Sequence, residues 1–140
     1  MTGHKEQTFI PYGKQSIAQD DIDAVVKVLK SGWLTTGPQV ALFETGLKDI
    51  AQAKHAVTLS NGTAALHAVA HVLNLGPGDE VIVPTVTFAA TANAAAYVGA
   101  TPVFADVGYE DMLIDPKSVQ QKISSRTKAI FAVDFAGQAC

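Results

Sequence analysis

Leu59-Ser60-Asn61-Gly62-Thr63-Ala64-Ala65-Leu66 decides how the rest of the chain is read. A β-branched run over residues 55–59 stops there and a helical apolar spacing begins at once, which predicts a strand, a tight turn and a helix start. Small residues at such a junction leave backbone N–H groups uncovered at the positive end of a helix dipole, and the hydroxyls of Ser60 and Thr63 stand beside them. That combination can hold a phosphate. The same small polar residues also cap ordinary helices, so the segment alone leaves an anion site and a plain capped helix both open.

C-terminal to the turn, strand-like and helix-like patterns alternate. We expect a strand over 55–59, a helix over 63–74, a turn at Gly76-Pro77-Gly78-Asp79 and a strand over 80–83. A helix over 89–98 closed by Gly99, a strand over 102–105, a short helix from Asp115-Pro116 to 123 and a strand over 127–133 follow. Strands alternating with helices imply βαβ units and a mostly parallel sheet flanked by helices, an α/β fold. Val81-Ile82-Val83 and Ile130-Phe131-Ala132-Val133 are continuous apolar runs, as strands covered on both faces require. Sheets of this kind bind ligands at the carboxyl ends of their strands. The loops 60–64, 84–89 and 134–138 are therefore where chemistry is expected.

N-terminal to the turn the pattern is helical. Pro11-Tyr12-Gly13-Lys14 has turn composition, and Ser16 followed by Gln19 has capping-box spacing. Ile22, Val25, Val26 and Leu29 then share one helical face, Asp20, Asp21 and Asp23 suit the first turns, and Gly32 closes the element. The connector Ser31-Gly32-Trp33-Leu34-Thr35-Thr36-Gly37-Pro38 contains the only tryptophan. It is read either as a loop whose Trp33 plugs the core edge or as a ligand or subunit contact. Pro38 suits the first turn of a second helix with Val40, Phe43, Leu47 and Ile50 on its buried stripe. The expected organisation is one partial domain over 1–140, with N-terminal helices over 1–54 and βαβ units over 55–140.

Composition narrows the function. With 140 residues, 48% of them apolar and 16% charged, the chain can bury one core and is not a disordered tail. A net charge of -3 and the absence of a Lys/Arg run argue against nucleic acid. Residues 1–8 carry Lys5 and Glu6 and no apolar segment, so no signal peptide or membrane anchor is expected and the cytoplasm is. One cysteine, Cys140, cannot form an intrachain disulfide or a zinc cluster. His67 and His71 are four apart, but no acidic residue follows His67 as a zinc protease requires, so no metal is expected. Neither Gly-x-x-x-x-Gly-Lys-Ser/Thr nor Gly-x-Gly-x-x-Gly occurs. Phe88, in the loop after a strand, either fills the core or stacks on a flat ring beside the anion turn. Asp106 reads as a cap, and Asp134 as either a cap or a ligand contact.

The motifs Gly32-Trp33-Leu34-Thr35-Thr36-Gly37-Pro38, Ser60 to Leu66, Gly76-Pro77-Gly78-Asp79-Glu80-Val81-Ile82-Val83-Pro84 and Thr87-Phe88 occur in an order and spacing that resembles the DegT/DnrJ/EryC1/StrS aminotransferases. These are pyridoxal-phosphate enzymes acting on nucleotide-linked keto-sugars. The resemblance implies the N-terminal portion of the large domain of a fold-type I aminotransferase. Residues 87–94 and 134–138 look most like the enzymes that aminate C4 of a UDP-linked 4-keto-6-deoxy-N-acetylhexosamine on the pseudaminic acid route. By position, the resemblance assigns Gly62, Thr63 and Ala64 to the cofactor phosphate and Phe88 to stacking on the pyridine ring. It assigns Tyr12, Gly13, Trp33 and Thr35 to the sugar-nucleotide side of a site built between two subunits of a homodimer.

The family's Schiff-base lysine and its Glu-Asp-Ala-Ala-Gln stretch have no match in this chain. Lys54, Lys117, Lys122 and Lys128 stand in other contexts, so the resemblance assigns no catalytic residue here. We expect no transaminase activity from these 140 residues alone, whereas the complete enzyme moves an amino group from glutamate to the sugar ketone. Two alternatives accompany that expectation. One is a non-catalytic truncated paralogue or self-associating fragment, whose half-built sheet leaves apolar faces uncovered. The other is a family dehydratase in which histidine replaces the lysine.

Overall fold

A computed structural model describes residues 9, 11 and 13–140. It divides into two compact units, one ending at Thr58 and one running over Leu59–Cys140.

The first unit holds two amphipathic helices, α1 (Gln19–Lys30) and α2 (Pro38–Ala51). Ser16 does not cap α1, contrary to the capping-box spacing. The helix starts two residues later in its pattern, with Ala18 as N-cap, and the Asp21 carboxylate accepts the Ala18 N–H at 2.8 Å. An acid in the first turn does the work of the expected glutamine, and its charge also suits the helix dipole. Pro38 occupies the first position of α2, as expected.

Residues 55–59 correct the strand expectation: they pair with no strand among the described residues. A strand is a property of a pair, and β-branched composition supplies only half of it. Val57 is 76% exposed. Its neighbour Thr58 is held instead by a side chain, donating both its N–H (2.8 Å) and its hydroxyl (2.9 Å) to Glu44 Oε1. These bonds, the backbone one foremost, lower the Glu44 pKa.

The second unit is built on three parallel strands, β1 (Glu80–Pro84), β2 (Thr101–Ala105) and β3 (Thr127–Ile130), in the order β2-β1-β3. Helices α3 (Gly62–Val72) and α4 (Ala90–Tyr97) precede and follow β1, and α5 (Pro116–Lys122) precedes β3. The expected α/β class and the mostly parallel sheet flanked by helices are what is found. Because side chains alternate along a strand, β1 feeds two cores. Val81 and Val83 pack with Ala70, Leu75, Ala95 and Ala100 on the α3 and α4 side, while Ile82 packs with Ala105 and Val119 on the α5 side. All three β1 residues are fully buried, each worth about 1.5–3 kcal/mol of transfer free energy.

Expected strand 127–133 is shorter than its apolar run. The ladder ends at Ile130, although the Phe131 N–H still donates to the Ile82 carbonyl at 2.9 Å. Beyond it the chain turns into a short 3-10 segment, Phe135–Gly137. The left-handed conformation of Gly99, with φ at 82°, ends α4 as the sequence predicts. At the amino end of the sheet Glu80 accepts the Ser124 hydroxyl at 2.5 Å and pairs with Arg126. This ties β1 to the entrance of β3. The Ser124 bond and then the Arg126 charge lower the Glu80 pKa against the opposing effect of burial.

Candidate functional site

Two carboxyl-end features of the second unit come together. The first is the start of α3, where Asn61 is the N-cap in extended backbone and its Oδ1 accepts the Ala64 N–H at 2.9 Å. Asn61 Nδ2 in turn donates to Ser60 Oγ at 3.3 Å. The Ala65 N–H reaches the Asn61 carbonyl at 3.2 Å. Helix geometry gives the remaining first-turn amides, those of Gly62 and Thr63, no acceptor of their own. They stand at the positive end of the dipole.

The second feature is the loop leaving β1. It is anchored at its start by the Thr85 N–H donating to the Ala105 carbonyl at 3.0 Å and at its end by the Thr91 N–H donating to the Phe88 carbonyl at 3.0 Å. Between the anchors Phe88 is 78% exposed. It does not fill the core.

Gly62, Thr63, Ala65 and Leu66 from α3 line one open depression with Phe88, Ala90 and Thr91, about 510 Å³ in volume. Among the described residues no amine and no carboxylate lines it. Gly62 lies in ordinary helical backbone, and a Cβ built there would meet nothing within 4 Å. Neither conformation nor packing within the chain demands a glycine, so its absent side chain keeps the amide end of α3 open to close approach. Amides, a hydroxyl and an exposed aromatic ring suit a group that is anionic at one end and flat at the other. The residues therefore fit the phosphate and the ring of pyridoxal phosphate.

Ala64 is not brought to this depression: it lines another, of about 350 Å³, with His67, Ala68 and His71. The His67 ring lies 5.3 Å from that of Tyr97. Gly13, Trp33 and Thr35 belong to the first unit, and Tyr12 lies outside the described residues. Trp33 is 64% exposed, with its N–H donating to Ser31 Oγ at 3.2 Å. Its connector is tightly wound, with Thr36 at φ 47°. The described hydrogen bonds of Asp106 are those of its backbone, to Ser118 and Asp115. Asp134 Oδ1 accepts the Cys140 N–H at 2.9 Å, which lowers the Asp134 pKa, while the Asp134 carboxylate raises that of the Cys140 thiol. Among the described residues no cluster of His, Cys, Asp and Glu could hold a metal ion, and no helix is long and apolar enough to cross a membrane.

Sequence reasoning missed Thr91. It is 6% exposed, lines the depression and shares a 2.8 Å hydroxyl hydrogen bond with Thr87. The signal was present: two threonines at i and i+4 flanking an aromatic, the second inside an alanine-rich helix start.

Comparison with known proteins identifies the family of the chain. The profile of the DegT/DnrJ/EryC1/StrS aminotransferase family matches residues 15–140. The spore coat polysaccharide biosynthesis protein SpsC of Bacillus subtilis (strain 168) is 43% identical over 136 residues, covering 97% of this chain and 35% of that protein. The UDP-4-amino-4-deoxy-L-arabinose–oxoglutarate aminotransferase of Shewanella sediminis (strain HAW-EB3) is 44% identical over 129 residues, covering 92% and 33%. Among solved structures, Spr1654 of Streptococcus pneumoniae, described as a sugar aminotransferase and solved in PLP, PMP and apo forms, superposes with a TM-score of 0.86 at 40% identity. That superposition covers 94% of this chain and 33% of Spr1654. The chain thus spans about a third of the length of the relatives it matches.

Proposed function

The chain belongs to the DegT/DnrJ/EryC1/StrS aminotransferase family, a family that uses pyridoxal phosphate, and from that premise we propose that it supplies the phosphate-holding and ring-facing part of a sugar aminotransferase site. In this reading the Gly62 and Thr63 amides and the Thr63 hydroxyl hold the cofactor phosphate, and Phe88 lies against the pyridine ring. Ala64 stands behind them with its amide already taken by Asn61. For the complete enzyme the proposal keeps Gly13, Trp33 and Thr35, with Tyr12 outside the described residues, for the sugar-nucleotide side. When bound, pyridoxal phosphate supplies the electron-withdrawing ring that makes a proton on the amine-bearing carbon acidic.

The substrate in this proposal is a nucleotide-linked 4-keto-6-deoxy sugar, the amino donor is glutamate, the complete enzyme is a homodimer and the compartment is the cytoplasm. The name of SpsC supports a polysaccharide-precursor sugar, and that of the arabinose aminotransferase a UDP-linked 4-amino sugar. The observation that carries the reading is that Gly62, Thr63 and Phe88, separate in sequence, line one depression. Because no amine among the described residues lines that depression, these residues bind and orient the cofactor without bonding to its aldehyde, and this chain by itself is expected to bind weakly and turn nothing over.

Titration of the chain with pyridoxal phosphate, followed by the phosphorus resonance of the ligand and the ring resonances of Phe88, tests this. Saturable binding weakened by both Gly62→Val and Phe88→Ala is expected. Binding indifferent to both variants would overturn the assignment.

A further inference from the structure

Phe88 presents a problem that its own contacts do not solve. A ring that is 78% exposed is not held by packing, yet a surface for a flat ligand must be in place beforehand if binding is not to be charged with ordering it. What fixes it must act on the backbone. Two bonds span the residue: the Thr91 N–H to the Phe88 carbonyl at 3.0 Å, and the hydroxyl pair Thr87 Oγ1 and Thr91 Oγ1 at 2.8 Å.

Thr91 is the rigid end of this clasp. It is 6% exposed in the first turn of α4, whose Ala94 and Ala95 are sunk in the core at 1% and 0%. Thr87, on the loop side, is only part-buried. The hydroxyl pair therefore ties the loop that carries Phe88 to the best-packed part of the unit, and a β-branched side chain on each end limits the rotamers available to it. In a pair of hydroxyls one proton is used between the two oxygens and one is left over.

We infer that Thr91, through its bond to Thr87, is the positioning residue that holds Phe88 as a preformed face of the depression. This rests on the reading of the depression as the cofactor site only for what the face is for. The clasp itself is a property of the chain without ligand.

Hydrogen exchange of the Thr91 amide and relaxation of the Phe88 ring, measured by NMR on the ligand-free chain, decide it. Thr91→Val and Thr87→Val are expected to raise Thr91 exchange about threefold to tenfold, the factor corresponding to one net hydrogen bond. Both should also loosen the Phe88 ring, while the Val83 amide stays protected. Thr91→Ser, which keeps the hydroxyl, should restore the wild-type values. Unchanged exchange in both valine variants, or a serine variant that behaves like valine, overturns the inference. Should Thr91→Val fail to fold, Thr87→Val decides, since its site is only part-buried. Pyridoxal phosphate titrated into the same proteins is expected to bind about threefold to tenfold more weakly to the valine variants. If it fails to bind the wild type, the cofactor assignment falls and the exchange result still rules on the clasp.

Discussion

Asn61 and Gly62 divide the two demands placed on the start of α3. Asn61 serves the fold, since its Oδ1 consumes the Ala64 amide. Replacing it with alanine should cost about 1 kcal/mol of stability, the usual worth of a side-chain cap. Gly62 serves the opening: its backbone is helical and a Cβ there meets nothing, so Gly62→Ala should leave stability unchanged or raise it by about 0.4–1 kcal/mol while weakening pyridoxal phosphate binding. Thermal melts and ligand titrations on the two variants separate these effects. A Gly62→Ala protein destabilised by as much as Asn61→Ala would show that the glycine belongs to the fold. The turn was legible in the sequence as a helix start, which Asn61 caps, although no strand among the described residues precedes it. The division of labour among its residues was not, because it depends on which amide each acceptor reaches. Ala64 shows this: adjacent to Thr63 in the chain, it turns its side chain toward a different depression.

Elements were legible to the extent that their signal is local. The helices announced themselves by apolar spacing, and β1 by an apolar run whose Val81, Ile82 and Val83 are fully buried, whereas the similar run at 130–133 is not covered on both faces, with Ile130 48% exposed. What failed was the part of strand formation that is not local, since residues 55–59 have the composition without a partner and β3 stops where its ladder does. The Glu80, Ser124 and Arg126 connection across the amino end of the sheet was invisible for the same reason: its members are 44 residues apart. Its pH consequence has a definite sign. The Glu80 carboxyl is lowered below its ordinary 4.5 in the folded chain, so it adds stability above that value, and the contribution is lost as pH falls through the lowered one. Glu80→Gln should therefore destabilise the chain at neutral pH and flatten the acid side of its stability curve, read by denaturant titration between neutral pH and the acid limb. Equal slopes for the two proteins below pH 4.5 would refute the linkage. Ile82→Ala, in the centre of the same strand, should cost about 2–5 kcal/mol at every pH.

At the scale of the molecule the balance of covered and uncovered apolar surface sets the expected behaviour in solution. The second unit buries β1 on both faces, but in the first unit no residue of α1 or α2 is buried. Ile22, Val25 and Leu29 of α1 are 47%, 60% and 63% exposed, and Phe43 and Ile50 of α2 are 55% and 85% exposed. These are the apolar stripes that the helical spacing marks for burial, and a soluble monomer rarely carries such stripes uncovered. A net charge of -3 is too small to keep copies apart. The chain should therefore associate with itself through these helices, the fragment-scale counterpart of the homodimer proposed for the complete enzyme. A contact of standard size buries about 800 Å² per partner, which stripes on two helices of 12 and 14 residues can supply. Analytical ultracentrifugation should show a species heavier than 14.6 kDa whose fraction grows with concentration. The double variant Val25→Glu, Leu29→Glu should return the chain toward the monomer without altering the Val83 amide protection of the second unit. A single 14.6 kDa species at all concentrations would mean that the stripes are satisfied within one chain, and would remove the uncovered faces as a reason for association.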